Sequence, residues 1–306
     1  MGKDLQSHAE TARLLRVSRV LLTALLFMPT FAPQLLAELR EDIEYGHAGG
    51  TRLSLDARIP EGEGPFPAAI VVHGGAWVTG DRVRSVLPLF QPLADARIAT
   101  FSISYRLLAN RGPDGFTLPG NISQILALGT ASDDVRQAIA YVRSHAGEFR
   151  IDPERIALIG ESAGAQLASM AALRPGTNGT VRAVVALYGP SDLVKLAQTS
   201  VWIPDQIRQS LNGTALETML FAGLREFSPV NWVSGKAPSF LLIHGTADTL
   251  VPFGQSQDLC DRLHVAGVRC ELYAVKGGHH GMRWWESEGR TDYKARMVRW
   301  LEHELR

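Results

Sequence analysis

A serine set between two glycines, Gly160-Glu-Ser-Ala-Gly164, is the residue here best placed to attack another atom. A serine hydroxyl is a weak nucleophile at neutral pH unless a nearby base takes its proton. Candidates for that base and for an acid to orient it lie later in the chain. Asp248 closes His244-Gly-Thr-Ala-Asp248, and His279 and His280 compete within Lys276-Gly-Gly-His279-His280-Gly281. Asp192 and Asp258 become acids only if the strand count differs. Upstream, His73-Gly-Gly-Ala-Trp77 is almost free of side chains. Its backbone N–H groups, with that of Ala163, could converge on a developing oxyanion. His73 reads as a hydrogen-bonding residue that shapes this loop. Trp77 ends the loop and is the expected substrate contact. Together these residues suit attack on a carbonyl carbon through a covalent acyl intermediate.

The elements that must hold them alternate between strand and helix. Ala68–Val72, Ile98–Ile103, Ile156–Ile159, Ala183–Leu187, Phe240–Ile243 and Glu271–Val275 are short apolar runs suited to buried strands. Leu53–Ile59 alternates apolar and polar residues, as an exposed or edge strand would. Helical spacing covers Asp133–His145, Ala163–Leu173, Gln257–Ala266 and Tyr293–Leu305. Asp133, Asp134 and Arg136 read as a helix start. Alternation of this kind predicts an α/β fold, a mostly parallel, doubly wound sheet with helices on both faces. Reactive groups then sit in loops at the carboxyl ends of the strands. Ser162 falls at such a turn between a buried strand and a helix, and Asp248 and the histidines follow the next strands in turn. Residues 191–236 break the rhythm, carry Trp202, Phe221 and Trp232, and form a candidate small cap.

Five motifs occur in register: His73-Gly-Gly-Ala-Trp77, Tyr105-Arg-Leu107, Gly160-Glu-Ser-Ala-Gly-Ala165, His244-Gly-Thr-Ala-Asp248 and His280-Gly-Met282. With them, residues 50–306 resemble α/β-hydrolase esterases. The nearest likeness is to bacterial enzymes of the HGG-motif group, the feruloyl, acetylxylan and hormone-sensitive-lipase-like esterases. The segment after Leu107 lacks the Ala-Pro-Glu of the hormone-sensitive-lipase branch, which favours the feruloyl, acetyl or carboxylesterase branch. The resemblance implies a triad of Ser162, Asp248 and His280. His280 takes the role because the family's base is followed directly by glycine and an apolar residue, here Met282. The family often reads His-Gly-Gly-Gly; Ala76 stands at the third glycine and keeps its N–H. The implied oxyanion hole comprises Gly74, Gly75, Ala76 and Ala163, with Gly75, Ala76 and Ala163 as donors and Gly74 bending the loop. No metal or organic cofactor is implied. The motifs say little of the substrate; the short candidate cap and the export signal make short-chain or carbohydrate-linked acyl esters the expected substrates. Amide, peptide or arylformamide cleavage by the same triad is the second reading, and a non-catalytic binding protein on the same fold is the third.

Composition sets the outer bounds. The chain has 306 residues, 45% hydrophobic and 20% charged, a globular balance. Lys+Arg and Asp+Glu are both 31, so there is no basic surplus for a nucleic-acid partner. Arg13, Arg16 and Arg19 precede the apolar run Val20–Met28, and Ala37 is a small residue beyond it. That pattern predicts a signal peptide over 1–37, a catalytic domain over 38–306, a secreted or periplasmic protein and no stable membrane partner; an uncleaved membrane anchor or an amphipathic helix is the alternative, though Pro29 and Pro33 interrupt the run. Export would permit a Cys260–Cys270 bridge; two buried thiols are the alternative. The Asn-x-Ser/Thr matches at Asn121, Asn178 and Asn212 are read as unmodified.

Overall fold

The computed structural model describes residues 38–108, 122–176, 179–199 and 205–306. The expected signal segment, Trp202, Asn121 and Asn178 lie outside them. Strands β1 (Glu38–Ala48), β2 (Thr51–Ile59), β3 (Phe66–Val72), β4 (Ala99–Ile103), β5 (Ile151–Glu161), β6 (Ala183–Leu187), β7 (Ser239–Gly245) and β8 (Cys270–Val275) form one sheet. Their order is β1-β2-β4-β3-β5-β6-β7-β8. From β4 to β8 every pairing is parallel, and β2 runs antiparallel to β1 and to β4. This is the α/β-hydrolase fold.

Successive side chains of a strand point to opposite faces, so an unbroken apolar run predicts cover on both. In β3, Ala68, Ile70 and Val72 join one core, and Ala69 and Val71 join the other. The first core is closed by helices α2 (Ile122–Ser144), α3 (Ala163–Leu173) and α7 (Gly254–Val265). The second is closed by α1 (Leu87–Asp95) and α9 (Asp292–Glu304), through Leu89, Leu93, Met297, Trp300 and Leu301. The described part of residues 191–236 holds α4 (Leu193–Thr199), α5 (Asp205–Leu211) and α6 (Ala215–Glu226), and Leu193, Phe227 and Val230 of this stretch join the first core. The short α8 (Met282–Ser287) follows the histidine loop.

Two sequence expectations are corrected. The segment Leu53–Ile59 is not an edge strand. β1 covers it, and its polar Asp56 is buried, accepting the Asp42 N–H at 2.9 Å and pairing with Arg82. The strand reads as half exposed because that charge pair cannot be seen along the chain. Asp133–Arg136 does not start a helix, since α2 begins at Ile122. Asp134 instead receives the Arg106 backbone N–H at 2.8 Å and its guanidinium at 2.6 Å, which anchors the Tyr105-Arg-Leu107 segment. A carboxylate inside a helix can serve a distant arginine as readily as it caps.

Cys260 of α7 and Cys270 of β8 form a disulfide. It ties the helix to the strand that leads to His280.

Candidate active site

Every site element lies at the carboxyl end of a strand. β3 leads into His73–Trp77, β5 into Ser162, β7 into Asp248 and β8 into His280. Because β3 and β5 are neighbours, and β7 and β8 are neighbours, four loops distant in sequence meet at one rim.

The turn at Ser162 is strained. Its φ of 53° and ψ of −121° lie outside the regions open to most L residues. The flanking glycines permit this turn for a steric reason. A Cβ on Gly160 would lie 2.3 Å from the Gly164 carbonyl, and one on Gly164 would lie 2.2 Å from the Val72 carbonyl. The Ser162 N–H donates to the Leu187 carbonyl at 2.9 Å, which fixes the turn to β6.

Ser162 Oγ lies 2.9 Å from His280 Nε2. His280 Nδ1 lies 2.7 Å from Asp248 Oδ2. The carboxylate can only accept when ionised, so Nδ1 carries the proton and Nε2 is free to accept from the serine hydroxyl. Asp248 is buried, and burial alone would raise its pKa. Hydrogen bonds from His244 and His280, the charge His280 can carry and the Val251 N–H outweigh that, and hold the carboxyl well below the usual carboxylate range. The structure therefore brings Ser162, Asp248 and His280 into one hydrogen-bonded chain.

His279 is placed elsewhere. Its side chain is exposed, and its carbonyl accepts the Trp285 indole N–H at 2.6 Å. Asp192 and Asp258 are also apart from the histidine. Asp192 accepts the Lys195 N–H at 3.0 Å, and Asp258 pairs with the Lys195 ammonium.

The oxyanion loop keeps part of its expected role. Among the described residues, no acceptor takes the N–H of Gly75, Ala76 or Ala163. Gly74 is corrected as an oxyanion ligand, because its N–H donates to Glu161 Oε1 at 2.6 Å. Gly75, Ala76 and Trp77 all have positive φ, at 110°, 51° and 65°, so the loop turns tightly without a glycine at position 76. Trp77 is corrected as a substrate contact. It is buried in the first core, and its indole N–H donates to Gln166 Oε1 at 3.0 Å. A tryptophan after a glycine loop can face either way, and here Gln166 offers an acceptor inside the protein.

His73 shapes the loop as expected. It is buried, its Nδ1 lies 2.8 Å from the Gly74 carbonyl, and its ring stacks on Tyr105 with centroids 4.4 Å apart. Burial lowers its pKa, which keeps it neutral. Three further polar residues surround the chain of Ser162, His280 and Asp248, and sequence reasoning passed over them. His244 Nε2 lies 3.3 Å from Asp248 Oδ2, and its Nδ1 lies 2.7 Å from the Ser256 hydroxyl. Glu161 and Tyr188 are buried beside the serine and the histidine. His244 and Glu161 carried a signal, as members of the Asp248 and Ser162 motifs, and Tyr188 carried none. Among the described residues, no group of three or more His, Cys, Asp or Glu side chains could hold a metal ion.

Residues 55–263 match the family model described as BD-FAE. This chain belongs to the BD-FAE family. Its curated relatives include LipM of Mycobacterium tuberculosis, a probable carboxylic ester hydrolase, 31% identical over 76% of this chain and 53% of LipM. LipQ of the same organism, an esterase, is 30% identical over 78% of this chain and 56% of LipQ. A methylesterase of isoprenylcysteine from Arabidopsis thaliana is 28% identical over 84% of this chain and 61% of the plant protein. This BD-FAE chain thus spans little more than half the length of these relatives. Among solved structures, a carbohydrate esterase from gut microbiota has a TM-score of 0.65 at 24% identity, covering 87% of this chain and 98% of that one. An acetyl ester–xyloside bifunctional hydrolase of Caldicellulosiruptor lactoaceticus has a TM-score of 0.65 at 21% identity, covering 89% of this chain and 98% of that one. These two likenesses carry the fold of the BD-FAE chain alone.

Proposed function

We propose that this protein is a serine carboxylic ester hydrolase. The observation that carries the reading is the chain from Ser162 Oγ through His280, at 2.9 Å and 2.7 Å, to the buried Asp248. Family membership and the names of the curated relatives support it.

In this reading His280 Nε2 takes the serine proton as Ser162 Oγ attacks the ester carbonyl. Asp248 holds the imidazole in the required tautomer and stabilises its cation. In this reading the oxyanion that forms is met by the N–H groups of Gly75, Ala76 and Ala163, to which the described residues offer no acceptor. His280 then gives its proton to the leaving alcohol. A water molecule, deprotonated by the same nitrogen, attacks the acyl-enzyme and releases the acid. No step requires a group beyond these side chains, the backbone and water.

The proposed substrates are short acyl esters of small or carbohydrate alcohols. The described helices of residues 191–236 are short, of 7, 7 and 12 residues, so in this reading few methylenes of a long chain would be buried. Each buried methylene would contribute about 0.8 kcal/mol. We also propose that the enzyme works outside the cytoplasm. The Cys260–Cys270 bridge, which a reducing compartment would not favour, supports that placement.

The test is a panel of p-nitrophenyl esters from acetate to laurate, with methyl ferulate and acetylated xylan. The expected result is the highest kcat/KM on acetate to butyrate and a steep fall beyond about eight carbons, for a pocket of ~300–1,000 Å³ shared with the alcohol. Preference for laurate, or activation at an oil–water interface, would make the protein a lipase instead.

A further inference from the structure

Glu161 sits directly before the nucleophile and takes no part in the proton transfers above. Its side chain is buried, and its Oε1 accepts the Gly74 N–H at 2.6 Å. A Cβ on residue 74 would lie 2.6 Å from that same oxygen. The glycine and the carboxylate therefore fit only each other: Gly74 has no side chain where Glu161 needs room.

The second contact runs the other way. The Tyr188 hydroxyl interacts electrostatically with Glu161 and accepts the Met282 N–H at 3.3 Å. With that N–H arriving at its oxygen, the phenol keeps its own proton free to turn toward the carboxylate. The Tyr188 ring stands edge-on to His280, with centroids 4.8 Å apart. One carboxylate thus reaches the oxyanion loop on one side and the start of the helix after His280 on the other.

We propose that Glu161 is a positioning residue, which holds the oxyanion loop and the His280 loop in register with Ser162 through Gly74 and Tyr188. The inference rests on the ester-hydrolase reading. Burying a carboxylate is costly unless its oxygens find polar partners, and the two partners here, the Gly74 N–H and the Tyr188 hydroxyl, both belong to site elements. Removing it leaves the Gly74 N–H buried without an acceptor. The three left-handed residues that follow then lose the bond that sets their direction. The loss should fall on the transition state, where the oxyanion forms, more than on ground-state binding.

Steady-state kinetics on p-nitrophenyl acetate, with thermal melts, test this in Glu161→Ala and Glu161→Gln. Glu161→Ala should lower kcat about 10²-fold, the order lost with one oxyanion donor, while KM changes by less than about threefold. The amide oxygen of Glu161→Gln can still accept from Gly74, so that variant should recover at least about tenfold of the loss. A Glu161→Ala enzyme with near-normal kcat, a loss confined to KM, or a Glu161→Gln no better than Glu161→Ala overturns the proposal. If Glu161→Ala does not fold, Tyr188→Phe decides: it removes one of the two polar partners and should lower kcat about tenfold at constant KM. An unchanged kcat there overturns the proposal. A wild type without ester turnover sinks the ester-hydrolase reading itself. An active wild type beside an equally active Glu161→Ala sinks only the positioning role.

Discussion

Asp248 Oδ2 and His280 Nδ1 lie 2.7 Å apart, although 32 residues separate them in sequence. The carboxylate spends all of its capacity on the loops around it. Oδ1 accepts the N–H groups of Leu250 and Val251, each at 2.9 Å, and Oδ2 also meets His244 Nε2 at 3.3 Å. These bonds shape the acid loop and orient the imidazole together.

Asp248→Asn should lower kcat on the order of 10⁴-fold, because the imidazole loses the partner that fixes its tautomer. The same variant tests the charge. Asp248 is held below the usual range when folded, so its ionised form stabilises the native state. That contribution is complete above the unfolded aspartate value of ~3.9 and is lost as pH falls through the lower folded value. The gap in melting temperature between wild type and Asp248→Asn should therefore be steady from about pH 8 to 5 and shrink below about pH 4. A gap that already closes between pH 7 and 5 would show that Asp248 is not held ionised.

The adjacent histidines should separate cleanly. His280→Ala should abolish ester turnover, whereas His279→Ala should leave most of it, because His280 makes the 2.9 Å contact with Ser162 and the His279 side chain is exposed. Turnover measured on both purified variants checks this, and the reverse order would move the base to His279.

The bridge between Cys260 and Cys270 closes a loop of 10 residues in sequence separation. Loop closure of that size restricts the unfolded chain by about 2–3 kcal/mol. Replacing both cysteines with serine should lower the melting temperature by roughly 4–12 °C for a domain of this size. Turnover at 25 °C should hold, since neither sulfur reaches the site. A melting temperature unchanged by the double substitution would mean the bridge constrains nothing.

The strands around the site and the order of its residues were legible along the chain. Val72, Ile159, Ile243 and Val275 each end an apolar run just before a reactive loop, and a strand buried on both faces leaves that mark in any sequence. Ser162 was legible because the flanking glycines answer a local clash. What could not be read were partnerships set by the sheet order. Glu161 meets Gly74 across 87 residues, and Arg106 meets Asp134 across 28. Motifs mark Gly74, Glu161 and Arg106 singly, but nothing local in the chain says which distant residue each one meets. β1 was missed for a related reason: most of its residues are exposed or half-exposed, so its polar sequence lacks the apolar period that marks a strand. Trp77 was misplaced because the sequence shows that an indole ends the loop, but not which way it turns.

The central claim is that Ser162 is the nucleophile of an ester hydrolase. Hydrolysis of p-nitrophenyl acetate by purified wild type and Ser162→Ala, at equal concentration and with matched melting curves, tests it most directly. The expected result is a fall of ~10⁴-fold or more in the variant with the fold intact. Comparable turnover by the two proteins would contradict it.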